Sequence, residues 1–163
     1  MIPMFIVSRN RPLFLASYLE SLQGQAVDPR VFFRADEKFA GAYQEIAAKH
    51  QWCTFACDDG SIRMTQAIRM WADENGPYGI LSVDDNLCVG CIDEWAIRGL
   101  LELDKVFGVS LRLQNGIRGK VHEVGPGGVI MWNPSEWPPR HSWGYPWEFS
   151  STVYRMSTIA RVS

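Results

Sequence analysis

Asp84, Asp85 and Asn86 stand in a row at the end of the apolar run ILSV, residues 80–83. Adjacent carboxylates repel, and burying either one is costly unless a positive charge or hydrogen-bond donors meet it. Two carboxylates and an amide carbonyl are hard oxygen donors of the kind that hold Mg2+ or Mn2+. An acid at a strand-to-helix turn also caps the next helix, but a cap accounts for one carboxylate and not for two. Other polar groups fall at comparable places: SRNR at 8–11, Asp36, and DDGS at 58–61 followed by Arg63 and Gln66. Cys53, Cys57, Cys88 and Cys91 have C-x3-C and C-x2-C spacings that raise zinc as a possibility. In a strand, residues four apart are separated by about 13 Å. Zinc, about 2.3 Å from each sulfur, cannot be shared across WCTFAC without a turn, so the cysteines read as reduced thiols.

These groups need elements to position them. Short apolar runs predict strands at 3–8, 30–36, 52–57, 78–83 and 105–113. Helical periodicity predicts helices between them. After Pro12, which suits a first helical turn, Leu13, Leu15, Tyr18, Leu19 and Leu22 share a face and Gly24 stands near the end. Phe39, Tyr43, Ile46 and Ala47 stripe a second helix, and Ile62, Ala67, Ile68 and Trp71 a third. A fourth covers 91–103. Repeated alternation of strand and helix predicts an α/β fold, a three-layer α/β/α sandwich around a mostly parallel sheet. In such sheets ligands sit beyond the carboxyl ends of the strands, where all four polar clusters fall. Strand-to-helix loops are polar in any α/β protein, yet four clusters of mixed acids and arginines on one edge favour a ligand site.

Beyond residue 113 the pattern changes. Asn115 and Gly116 signal a hairpin turn, 129–133 a short strand, and 150–162 a last helix; five of the nine prolines fall within 126–146. No internal repeat is visible. The 163 residues suit one domain, with 1–113 as βα units and 114–163 as a second segment. Hydrophobic residues make up 47%, charged residues 21%, and the net charge is −2 with a pI near 5.9. That balance offers no electrostatic reason for a nucleic-acid or anionic-membrane partner. No apolar run approaches a membrane span, and MIPMFIVSRNRP lacks the build of a signal peptide. A cytoplasmic protein with no integral membrane segment is expected.

VDDN also opens like a response-regulator receiver domain, but no later strand offers an aspartate to accept phosphate: Asp93 and Asp104 both fall in the next helical segment. The fuller match is to glycosyltransferases of the GT-A fold, the nucleotide-diphospho-sugar transferase superfamily, family 2-like. IPMFIVSRNRPLFLASYLESLQGQ resembles their first strand, (T/S)-x-N-R-P loop and first helix. FFRAD resembles the second strand, ILSVDDNLCV the DxD element, and WEFSSTVYR the late segment where an acid precedes an arginine-bearing helix.

The resemblance implies a metal-dependent glycosyltransferase using Mn2+ or Mg2+ and a nucleotide-sugar donor, UDP-sugar favoured, with an unknown acceptor. Residues 1–113 would be the βα units that bind the nucleotide, and 114–163 the acceptor-side segment. Asp36 would contact the base, and Asp84 would bind ribose or orient the metal. Asp85 or Asn86 would ligate the metal, Asp85 being favoured, with His141 as an extra ligand. Ser8, Arg9, Arg11, Arg63 and Gln66 would line the nucleotide and its phosphates. An inverting transferase needs a carboxylate base. Glu148 stands at the first acid of the family's late pair, whose second position is here Phe149, and Glu136 is the reserve. Trp137, Trp143 and Trp147, within an aromatic cluster with Trp132 and Tyr145, could stack on an acceptor sugar or simply staple the loop. Two rivals use the same chemistry: a non-catalytic nucleotide- or sugar-binding domain of this fold, or a fragment of a larger transferase. A sugar nucleotidylyltransferase would want a glycine-rich loop where SRNRP has no glycine.

Overall fold

Strand β1 (Ile2–Arg9) buries both faces: Ile2, Met4 and Ile6 look one way and Phe5 the other, all 2% exposed or less. Such a strand must sit mid-sheet with helices on both sides. The computed structural model describes residues 1–111, 123–124, 130–131 and 150–162. After β1 come α1 (Pro12–Leu22), β2 (Val27–Arg34), α2 (Glu37–Lys49), β3 (Thr54–Cys57), α3 (Met64–Glu74), β4 (Tyr78–Val83), α4 (Glu94–Leu101) and β5 (Gly108–Ser110). Then follow β6 (Glu123–Val124), β7 (Ile130–Met131), β8 (Thr152–Arg155) and α5 (Met156–Val162).

Six strands form one sheet in the order β3, β2, β1, β4, β8, β5. The pairs among β1 to β4 are parallel, and β8 is antiparallel to both β4 and β5. This is the expected mixed α/β architecture with a mostly parallel sheet. The chain winds outward from β1 through β2 to β3, then returns to place β4 on the other side of β1. That reversal opens a crevice at the carboxyl ends of β1 and β4.

Under one face lies a core of Met4, Ile6, Val31 and Ile80 with Leu15, Tyr18 and Leu19 of α1, Tyr43 and Ile46 of α2, and Ile97 and Leu101 of α4. Against the other face, Phe5 meets Phe32 and Trp71 of α3, with ring centroids 5.8 and 5.4 Å away, and α3 packs on α5. Gly79 makes that approach feasible, since a Cβ there would lie 2.2 Å from Met156 Cε and 2.5 Å from Trp71 Cη2.

Residues 1–111 and 149–163 make one compact unit and 112–148 another. Within the second, β6 pairs antiparallel with β7; the expected turn at Asn115 and Gly116 lies outside the described residues. One expectation fails at 150–162. The first half of the segment read as a final helix is strand β8, because Val153 and Tyr154, both buried, fill a slot between two strands. Gly79 and Gly108 stand opposite Tyr154 on either side, and tertiary pairing outweighs local periodicity there.

Candidate functional site

The loop after β1 is held in a fixed shape. Asn10 has φ 55°, in the left-handed region that asparagine tolerates better than most residues. Its backbone N–H donates to Arg34 O at 3.1 Å. Its side chain bonds Asp36 twice: Nδ2 donates to Oδ2, and Oδ1 accepts from the Asp36 backbone N–H, both at 2.8 Å. Pro12 starts α1 immediately afterwards. Arg11 is thereby set between β1 and α1, facing the end of β4.

There Asp84 is fully buried. Its backbone N–H donates to Val7 O at 3.2 Å, carrying the pairing of β1 with β4 one step past the strand. Ser8 donates to Asp84 Oδ2 at 2.6 Å, and Tyr43 OH lies 2.5 Å from Ser8 Oγ. Because the Arg11 backbone N–H donates to Tyr43 OH at 3.2 Å, the hydroxyls form one directed relay from Arg11 through Tyr43 and Ser8 to Asp84. The other carboxylate oxygen, Oδ1, has Arg11 Nη2 at 2.6 Å but accepts no aligned hydrogen bond. It is a charge contact on a buried acceptor that has no aligned donor. Arg11 Nη1 donates to Asp85 Oδ2 at 2.9 Å, so one guanidinium bridges both acids. Burial pushes the Asp84 carboxyl above the usual aspartate range. The Ser8 bond and the Arg11 charge pull it back, and Asp85 pushes it further up.

Asn86 is oriented from behind. Its Nδ2 donates to Ser82 Oγ at 3.2 Å and Val83 O at 3.1 Å, which leaves its carbonyl oxygen as the group with no described donor. Ser82 in turn belongs to a hydroxyl triangle with Tyr18 and Ser151, whose sides are 2.8 and 2.9 Å. Burial raises the Tyr18 phenol above its ordinary value, against the lowering effect of the two serines.

Asp84 Oδ1, which lacks an aligned hydrogen bond, and the half-exposed Asp85 carboxylate, both facing the Arg11 guanidinium, are hard oxygens of the kind a divalent cation takes. No group of three or more His, Cys, Asp or Glu that could hold a metal occurs among the described residues. Mg2+-like ions are commonly held by one or two carboxylates with water and substrate phosphates completing the shell, and the acid pair suits that mode.

Of the remaining expected residues, Arg9, Arg63 and Gln66 are described. Arg9 ends β1 directly opposite Arg34 of β2; both are exposed. Arg63 precedes α3, and its backbone N–H donates to Gln66 Oε1 at 3.0 Å, so Gln66 caps its own helix. Among the described residues, no hydrogen bond or ion pair joins Arg63 or Gln66 to the Asp84 cluster. His141, Glu148, Glu136, Trp137, Trp143 and Trp147 lie outside the described residues. Sequence reasoning missed Tyr43, read as core, although a tyrosine in an apolar stripe signals a hydroxyl needing a partner. It also missed Arg34, whose place beside Arg9 depends on strand register. Of the cysteines, Cys53 is buried, its thiol pushed up to about 12 by burial, and Cys57 and Cys91 are exposed.

No helix among the described residues is long and apolar enough to cross a membrane. No family model matches the chain, and no curated protein matches it. Among solved structures, it is similar to the mannosyltransferase PcManGT from Pyrobaculum calidifontis, in complex with GDP-Man and Mn2+. The TM-score is 0.50 at 14% identity, and the match covers 66% of this chain and 34% of that one. The chain therefore spans about a third of that protein's length (34%). At this identity the likeness is one of fold, a glycosyltransferase-like α/β fold.

Proposed function

We propose that this chain is a metal-dependent glycosyltransferase, or the donor-binding part of one, moving a sugar from a nucleotide-diphosphate donor to an acceptor. The observation that carries the reading is the buried Asp84, its Oδ1 without an aligned hydrogen bond and bridged to Asp85 only through the Arg11 charge, at the crevice where the strand order reverses. When bound, Mn2+ or Mg2+ supplies neutralisation of the charge that develops on the leaving diphosphate.

The chain's own residues do the positioning. Asp85 and Asp84 Oδ1 offer hard oxygens, with the Asn86 carbonyl beside them. Ser8 and Tyr43 fix Asp84 from beneath, and Asn10 with Asp36 holds the loop bearing Arg11. Arg9, Arg63 and Gln66 are proposed to reach the nucleotide or its phosphates, and Asp36 the base. Glu148 is proposed as the base that takes the acceptor proton, His141 as a further ligand, and Trp137, Trp143 and Trp147 as the acceptor platform. The division into a nucleotide-binding part over 1–113 and an acceptor-side part over 114–163 belongs to the same proposal. UDP is the favoured nucleotide, and GDP, which the structural neighbour binds as GDP-Man, is the alternative.

Calorimetric titration of UDP and GDP, with and without Mn2+, on wild type and Asp85→Ala tests the proposal. Binding that needs Mn2+ and is lost in the variant is the expected result. No nucleotide binding under any condition would overturn it. One observation favours a second reading, a non-catalytic binding domain: Arg11 already neutralises part of the acid pair. Donor hydrolysis dependent on Mn2+ distinguishes the enzyme from the binding domain.

A further inference from the structure

We infer that Arg11 is a tethered counter-ion of the acid pair, which yields Asp84 and Asp85 when a divalent cation binds and then turns its charge to the donor's diphosphate. This deepens the donor-site reading and rests on it. The guanidinium stands where a cation held by both acids would stand, with Nη2 2.6 Å from Asp84 Oδ1 and Nη1 2.9 Å from Asp85 Oδ2. Both cannot occupy that position. Arginine cannot leave by losing its proton, because it stays charged at any ordinary pH, so the side chain must move.

The structure gives it a fixed root and a free head. The Arg11 backbone is anchored to Tyr43 OH and followed by Pro12, yet the side chain is 43% exposed. Charge counting sets the direction. Two carboxylates with Arg11 sum to one negative charge, which keeps the pair attractive to a cation. The two carboxylates with a divalent cation sum to zero, and the guanidinium is then an uncompensated positive charge on the rim. A diphosphate is the partner its fork geometry suits. The same residue thus opposes cation binding in the empty protein and favours donor binding once the cation is in place.

This dual role separates Arg11 from an ordinary surface ion pair, because removing it shifts two affinities in opposite directions. The experiment is Mn2+ titration of the full chain by electron paramagnetic resonance, without nucleotide, on wild type, Arg11→Ala and Arg11→Lys. Titrations of GDP and UDP at saturating Mn2+ follow. Arg11→Ala should bind Mn2+ alone about tenfold more tightly and the nucleotide with Mn2+ about tenfold more weakly. Arg11→Lys, a point charge that cannot bridge both acids, should fall between. Should Arg11→Ala be only marginally folded, its melting temperature decides: Mn2+ should raise it by more than in wild type. Mn2+ affinity unchanged or weakened in Arg11→Ala overturns the inference while leaving the transferase reading intact if wild type binds nucleotide with Mn2+. Tighter Mn2+ in Arg11→Ala with no nucleotide binding by wild type keeps Arg11 as counter-ion and removes the transferase reading.

Discussion

Ser8 Oγ lies 2.6 Å from Oδ2 of Asp84, a residue 76 positions further along the chain. The bond is the only aligned one to that carboxylate among the described residues, and it satisfies one oxygen of an acid with no exposure to water. A buried acceptor stripped of its donor bears the full desolvation penalty.

Ser8→Ala should therefore lower stability by about 1–3 kcal/mol, read as a drop in the urea midpoint with an unchanged slope. Tyr43→Phe, which removes the donor to Ser8 but leaves Asp84 paired, should cost only about 0.5–1.5 kcal/mol. Equal losses in the two variants would show that the relay does not act in the order the hydroxyls stand.

Gly79→Ala should destabilise by about 1–3 kcal/mol through overpacking, measured as a fall in melting temperature. The new Cβ would press on Met156, whose thioether can yield, and on the indole of Trp71, which cannot. Adding Trp71→Phe should recover part of the loss from Gly79→Ala, a non-additivity expected of residues in contact. Strict additivity would place the strain elsewhere.

His50 is buried, with Nε2 unpaired, at the end of α2. Burial foremost, then the neighbouring Lys49 charge, holds its folded pKa below the ordinary value of 6.5, with Glu20 opposing. The neutral ring is thus the form the fold prefers. Stability from this residue is complete above the unfolded-state pKa and falls as pH drops from there through the lowered folded value. His50→Phe should flatten that mildly acidic part of the melting-temperature profile, and an unchanged slope would refute the assignment.

Local patterns carried much of this architecture. Strand β4 runs over the residues its apolar run predicts, and Pro12 marks the start of α1 as its missing N–H suggests. The acids at the end of β4 were visible because a helix cap accounts for one carboxylate and not for two adjacent ones. What joins them was not visible. Arg11 meets Asp85 across 74 positions, a meeting that exists only because Val7 pairs with Val83 across β1 and β4. No periodicity within a window reports that register. Strand β8 was hidden for the same reason, being defined by two glycine-bearing neighbours and not by its own short sequence.

The place of β8 between β4 and β5 has a consequence for how the chain is made. Among the described residues, strand β5 joins the sheet only through β8, which is synthesised more than forty residues later by its numbering (Ser110 to Thr152). On the ribosome, β5 has no described strand to join until β8, immediately before α5, has been made. The four parallel strands with Ser8, Arg11, Tyr43 and Asp84 all lie within the first 85 residues, while α4, β8 and α5, which complete their core, come later. A chain emerging from its N-terminus presents the acid pair and the arginine that bridges it before the elements that complete the core around them. Until β8 follows, the β4 side of the sheet is an open edge, the kind of unpaired edge that folded sheets cover.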